Sequence, residues 1–85
     1  MHVELSDRFK KSFRRLSSRL QDKSAERIEI FRQDCFDPRL KTHELHGKDR
    51  NIWSFSINRS YRIKFIFLGS GAVLFLEIGT HDIYN

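Results

Sequence analysis

A small α+β fold is predicted by three observations. Apolar residues recur at helical spacing through the first part of the chain, an alternation with period two begins at Ile52, and Pro38 and Gly47 punctuate the stretch between. A length of 85 residues makes one domain, 1–85, with one modest core and no room for a cofactor domain. The expected architecture is an N-terminal strand, then an antiparallel helix hairpin packed on an antiparallel sheet that ends in a three-stranded meander.

The elements follow in order. His2-Val3-Glu4-Leu5 alternates polar and apolar, which suits a short strand. Ser6 reads as a helix N-cap with Asp7 in the first turn, and Phe9, Phe13, Leu16 and Leu20 make one buried stripe. A second helix is expected from about Asp22–Ser24 to about Cys35, carrying Ala25, Ile28, Phe31 and Cys35, so the link falls at Gln21, Asp22 and Lys23. Pro38 marks its end. Residues 37–50 show little periodicity and read as a long connection. Trp53, Phe55 and Ile57 then alternate with Ser54, Ser56 and Asn58, the turn Asn58-Arg59-Ser60 leads into a strand alternating Tyr61, Ile63, Phe65 and Phe67 with Arg62, Lys64, Ile66 and Leu68, and Gly69-Ser70-Gly71 leads into a last strand from Ala72 to about Gly79. Covering one sheet face with the helices leaves the other open, with Arg62 and Lys64 projecting from it.

Charge narrows the partners. Sixteen Lys and Arg against 11 Asp and Glu give +5, and between Arg39 and Lys64 seven residues are basic (Arg39, Lys41, Lys48, Arg50, Arg59, Arg62, Lys64) against two acidic ones, Glu44 and Asp49. Such clustering favours an anionic partner, nucleic acid first. The basic residues of the first helix are either a nucleic-acid surface or a solvated exterior. Cys35 is the sole cysteine and reads as a packing residue, the N-terminus lacks the features of a signal peptide, and no apolar run approaches a membrane span. A cytoplasmic protein without membrane attachment is expected.

The residues that carry chemistry are histidines. His81 closes the run Ile78-Gly79-Thr80-His81-Asp82-Ile83-Tyr84, and His43 and His46 flank Leu45 in Thr42-His43-Glu44-Leu45-His46-Gly47. Imidazoles exchange protons near neutral pH. Together with Arg62 in a basic protein they point to chemistry on a phosphate ester, with RNA the leading substrate. Trp53 reads as core, or else as a group that stacks on RNA bases.

This order of elements, with Leu45-His46-Gly47, Trp53-Ser54, Tyr61-Arg62-Ile63 and Gly79-Thr80-His81-Asp82-Ile83-Tyr84, resembles the RelE/ParE superfamily of type II toxins across essentially the whole chain. The Trp-Ser strand start and the downstream arginine look most like the YoeB branch, and the Gly-Thr-His ending looks like the YafQ branch. The resemblance implies a RelE-like fold and a ribosome-dependent mRNA endonuclease, an mRNA interferase that blocks translation, neutralised by a cognate antitoxin in a complex that can be of higher order. It implies metal-free cleavage by attack of the 2′-hydroxyl on the adjacent phosphorus, with no cofactor. His43 then takes the role of general base and His81 that of general acid, although coupled groups can exchange these roles. Arg62 holds the phosphate. His46, at a position that is often lysine in the relatives, contacts phosphate, and Tyr84 stacks on a base or orients His81. Lys48, Arg59 and Lys64 of the basic middle are further expected substrate contacts. Three other readings compete: a ParE-like toxin that poisons gyrase without nuclease activity, a degenerate toxin kept as a binding module, and a metal-binding regulator using His43, His46 and His81, a set that no cysteine or carboxylate obviously completes.

Overall fold

The computed structural model describes residues 1–47 and 51–80. Its elements are β1 (His2–Leu5), α1 (Asp7–Arg14), α2 (Ser18–Gln33), a 3-10 turn at Pro38–Leu40, β2 (His43–Glu44), β3 (Trp53–Ser56), β4 (Arg62–Gly69) and β5 (Ala72–Gly79). The strands form one sheet in the order β1-β5-β4-β3-β2. The expected two helices, N-terminal strand and closing meander are all present. The sheet is mixed rather than wholly antiparallel, because β1 runs parallel to β5. The intervening helices return the chain across the sheet, and such a crossover joins strands that run the same way.

Both helices cover one face. Phe31 of α2 is fully buried, and its ring meets Phe55, Phe65 and Phe75 at centroid separations of 4.5, 5.0 and 5.4 Å. Phe9 of α1 stands 5.4 Å from Phe75. Burying each such ring contributes about 1.5–3 kcal/mol from water exclusion alone. Trp53 is half-buried and packs against the edge of this core, meeting Phe36 and Phe67 at 5.8 and 5.3 Å.

The break between the helices lies at residues 15–17, earlier than the expected Gln21–Lys23. Ser17 caps α2 by accepting from the Leu20 N–H at 3.2 Å, and Gln21 Nε2 donates to the Phe13 carbonyl at the end of α1, 3.2 Å away. Leu16 therefore lies in the link and Leu20 in the first turn of the next helix. On α2 the inward line runs through Ser24, Ile28 and Phe31, while Ala25 is exposed. Buried Ser24 donates to the Leu20 carbonyl at 2.7 Å, so its hydroxyl is satisfied within the helix. The helix ends at Gln33, which leaves Cys35 half-buried just beyond it; burial, aided by the neighbouring Asp34 carboxylate, pushes the thiol pKa up.

An irregularity in β5 sets the geometry of the sheet's end. Phe75 pairs with Phe65 and Glu77 with Lys64, so Leu76 is an extra residue that shifts which side chains face the core: Val73 and Phe75 before it, Ile78 after it. Hydroxyls at the two ends of the first helix satisfy the adjoining backbone. Ser6 Oγ donates to the Leu76 carbonyl at 2.8 Å while accepting from the Phe9 N–H, and the Ile78 N–H donates to Ser12 Oγ at 3.1 Å. The N-cap of α1 thus doubles as a tie to β5, and such a cap alone contributes about 1 kcal/mol.

The stretch read as an irregular connection contains two elements. Asp37 caps the 3-10 turn through the Arg39 N–H and clamps the Arg39 guanidinium with both carboxylate oxygens, at 3.0 and 2.8 Å. Leu40 is fully buried beneath it, and β2 then pairs with β3. A two-residue strand has no periodicity to detect, which is why spacing could not reveal it.

The hydrogen bonds from Arg39 hold the Asp37 carboxyl down from an ordinary 3.8 to about 2. A depressed carboxyl pKa contributes stability that is fully present above the unfolded value and disappears as pH falls through the folded one. In urea denaturation, wild type is expected to exceed Asp37→Asn by a constant margin above pH 4, and the margin is expected to close between pH 4 and pH 2. A margin that persists unchanged at pH 2 would contradict this role for the ionised carboxylate.

Candidate active site

Cross-strand register assembles the site on the face away from the helices. His43 of β2 pairs with Ser54 of β3, Ser54 with Lys64 of β4, and Lys64 with Glu77 of β5. Paired residues present their side chains to the same face, so these four form one row across the sheet. The next row on that face holds Ser56, Arg62 and Gly79. Two residues along a strand separate the rows by about 7 Å. His43, distant in sequence from Arg62 and Lys64, is thereby brought onto the same face, with β3 between them.

Lys64 does not project from an open face as expected. It is 8% exposed and Ser54 fully buried, on two adjacent strands in the interior of the sheet. Arg62 is half-buried, and its Nη1 donates to the carbonyl of Arg59 in the β3–β4 turn at 3.4 Å. That turn is itself held by Asn58 Oδ1, which accepts from the N–H groups of Ser60 and Tyr61, both at 2.8 Å. Glu77 also approaches Arg8 of α1 at 3.8 Å, a solvent-exposed pairing that contributes little.

His43 is exposed, with Nδ1 2.9 Å from the Lys41 carbonyl oxygen. A carbonyl only accepts, so Nδ1 carries the proton and, in the neutral ring, Nε2 carries the lone pair. The position of that carbonyl is built from below. Lys41 adopts a left-handed backbone with φ 53°, its N–H bonded to the Pro38 carbonyl at 3.3 Å, just beyond buried Leu40. The site thus offers a proton acceptor in one row and a guanidinium in the next, with an ammonium between β3 and β5.

His46 is exposed beside Gly47, whose φ is 90°, in the stretch that follows β2. Arg59 is exposed in the turn and linked to Arg62 through its carbonyl. His81, Tyr84 and Lys48 lie outside the described residues. Sequence reasoning missed Ser54, Ser56 and Lys41. The two serines alternate with Trp53 and Phe55, which marks them as residents of the second face, but Lys41 matters through its carbonyl, for which a side-chain pattern holds no signal. Among the described residues no group of three His, Cys, Asp or Glu is placed to hold a metal ion, and no helix is long and apolar enough to cross a membrane.

A YoeB/ParE toxin from Agrobacterium tumefaciens superposes with a TM-score of 0.79 at 20% identity, covering 95% of this chain and 99% of that one. The chain has the fold of a YoeB/YafQ-type toxin. YafQ from E. coli strain BL21(DE3) gives 0.79 at 14% identity, over 95% and 93% of the two chains. The toxin in the E. coli DinJ–YafQ toxin–antitoxin complex gives 0.76 at 15%, over 95% and 92%. No protein-family model matches the sequence, and no curated protein matches it. The YafQ-type fold therefore rests on shape along nearly the full length of each chain.

The hydrogen bond to Lys41 has a direct spectroscopic consequence. Long-range 1H–15N correlation of the histidine rings at alkaline pH is expected to show His43 as the Nδ1–H tautomer, opposite to the Nε2–H form that prevails for free imidazole side chains in water. An Nε2–H pattern would contradict the placement of the proton.

Proposed function

We propose that this chain is the toxin of a type II toxin–antitoxin system and acts as a ribosome-dependent mRNA endonuclease. The observation that carries the reading is the pair of adjacent rows, with His43 in one and Arg62 in the next, on the face of a YafQ-type fold left uncovered by the helices. His43 Nε2 takes the proton of the ribose 2′-hydroxyl, whose oxygen attacks the neighbouring phosphorus. Arg62 stabilises the charge that builds on the non-bridging oxygens, with Lys64 adding a second cation from the adjacent row. The leaving 5′-oxygen needs a proton, and His81 is proposed to supply it. Its place in the sequence is two residues beyond Gly79, the partner of Arg62 in the sheet. His46, Lys48, Arg59 and Tyr84 are proposed as contacts to the RNA around the scissile phosphate.

A basic protein with such a face is suited to an acidic partner segment, and the E. coli YafQ fold-mate was crystallised with the antitoxin DinJ. A cognate antitoxin, in a two-partner or higher-order complex, is accordingly proposed as the partner that holds activity off in the cytoplasm.

Primer extension on a defined mRNA with programmed ribosomes tests the assignment. Wild type is expected to cut only when ribosomes are present, at positions set by the reading frame. His43→Ala, His81→Ala and Arg62→Ala are each expected to lower the rate by about a hundredfold or more while melting like wild type. Undiminished cleavage by the three variants would overturn the proposed roles. An uncut message together with inhibited DNA supercoiling would replace the nuclease with a gyrase poison.

A further inference from the structure

Around the edge of the sheet from His43 opens a groove with a volume of about 330 Å³, lined by Arg27 of α2, Arg39 and Lys41 at the 3-10 turn, Ser56 of β3, Arg59 of the β3–β4 turn and Arg62 of β4. Five of these six side chains are cationic, and the five cations come from four separate segments. The polar rim is continuous with the candidate active site. Extending the antiparallel register of His43 with Ser54 by two residues sets Lys41 beside Ser56, which pairs with Arg62.

Cations from separate elements repel one another, so their convergence is costly unless an anion joins them. Asp37 clamps Arg39 through Nε and Nη2 and its field reaches Arg27, and Glu26 adds to the field at Arg39. Arg27 Nε is buried with no hydrogen-bond partner among the described residues, a donor whose desolvation those residues leave uncompensated.

We infer that this groove is a second phosphate-binding subsite, which holds a phosphodiester of single-stranded RNA next to the scissile one and so fixes the direction in which the strand crosses the active site. The inference rests on the endonuclease reading for its substrate. Forked guanidinium groups match phosphate oxygens, and Ser56 adds a hydroxyl donor. Arg62 touches both the groove and the catalytic face, so one strand can occupy both without a break. An acidic peptide would present carboxylates at irregular spacing, whereas Lys41 and Arg62 flank Ser56 along one row of the sheet, beside the row of His43 and Lys64, which favours a regularly charged backbone.

The test uses a fluorescent 2′-O-methyl RNA hexamer, which has no free 2′-hydroxyl and cannot be cut, bound to the full chain over a range of salt concentrations. The triple variant R39Q/K41N/R59Q keeps the buried core intact, and asparagine tolerates the left-handed backbone at position 41. Relative to wild type it is expected to bind about tenfold more weakly at low salt, with the slope of log affinity against log salt shallower by about 0.7 or more, the value of one phosphate contact on a single strand. An unchanged slope in a variant that melts like wild type would overturn the subsite, as would a wild type that fails to bind the hexamer. A loss confined to a hexaglutamate peptide, with RNA binding intact, would also overturn it and assign the groove to an acidic protein segment. Cleavage measured in parallel separates the two claims. Wild type that binds through the groove but leaves mRNA on ribosomes intact keeps the subsite and removes the nuclease; wild type that cuts while the variant retains its full slope does the reverse.

Discussion

The seating of Phe31 against Phe55, Phe65 and Phe75 is the contact on which everything else in this molecule depends. One ring from α2 locks three strands, and aromatic contacts of this kind contribute about 0.5–1.5 kcal/mol each beyond the area they bury. Their larger effect is on register. Side chains alternate faces along a strand, so a slip of one residue would carry Ser54, Arg62 and Lys64 into the core and expel the phenylalanines. The phenylalanine cluster and the polar rows are two consequences of one register.

That coupling explains why a chain with so small a core can hold a defined arrangement of charges. Lys64 is an almost buried cation in the central strand, a placement that is unfavourable unless the surroundings are fixed. The surroundings are fixed from both edges. On one side, Ser6 and Ser12 of the first helix satisfy the backbone around the extra residue at Leu76 and so hold Glu77 and Gly79 in place. On the other, the Asp37 cap and buried Leu40 set the Lys41 carbonyl that orients the His43 ring. The helices pack on the opposite face and reach the site only at its margins, through Arg8 beside Glu77 and Arg27 in the groove next to Arg62.

Much of the fold can be read in the sequence because its strongest periodicities coincide with its most buried residues. Phe55 and Ile57, Ile63 and Phe65, and Val73 and Phe75 alternate cleanly and are all buried, and Ser6 announces the first helix. The features that escaped are those with no period. Ser17 resembled an ordinary helical residue because the apolar stripe of α1 continues in phase through Leu16 to Leu20, across the break. The two residues of β2 were too few to alternate. The extra residue at Leu76 is recognisable only from its pairing. For the candidate site, residue chemistry singled out His43 and Arg62, but their proximity is a product of strand pairing across residues far apart in the chain. Burial of Lys64 was hidden for a similar reason, since alternation marks it as opposite to the core without showing how little of it is left exposed. The arginine of α2 that reaches the groove, Arg27, is one of several basic helix residues, and its destination depends on tertiary packing alone.

The central claim is that the side chains of this sheet face cleave RNA by proton transfer, using the substrate's own 2′-hydroxyl. The chemistry of the new 3′ ends tests it most directly. Fragments made by purified protein on programmed ribosomes can be treated with and without a phosphatase that opens and removes 2′,3′-cyclic phosphate, then resolved by mass. The account predicts 2′,3′-cyclic phosphate at the cut, with a 5′-hydroxyl on the downstream fragment, because attack by the neighbouring oxygen leaves that ring behind. Fragments that end in a free 3′-hydroxyl with a 5′-phosphate would show that water was the nucleophile and would contradict it.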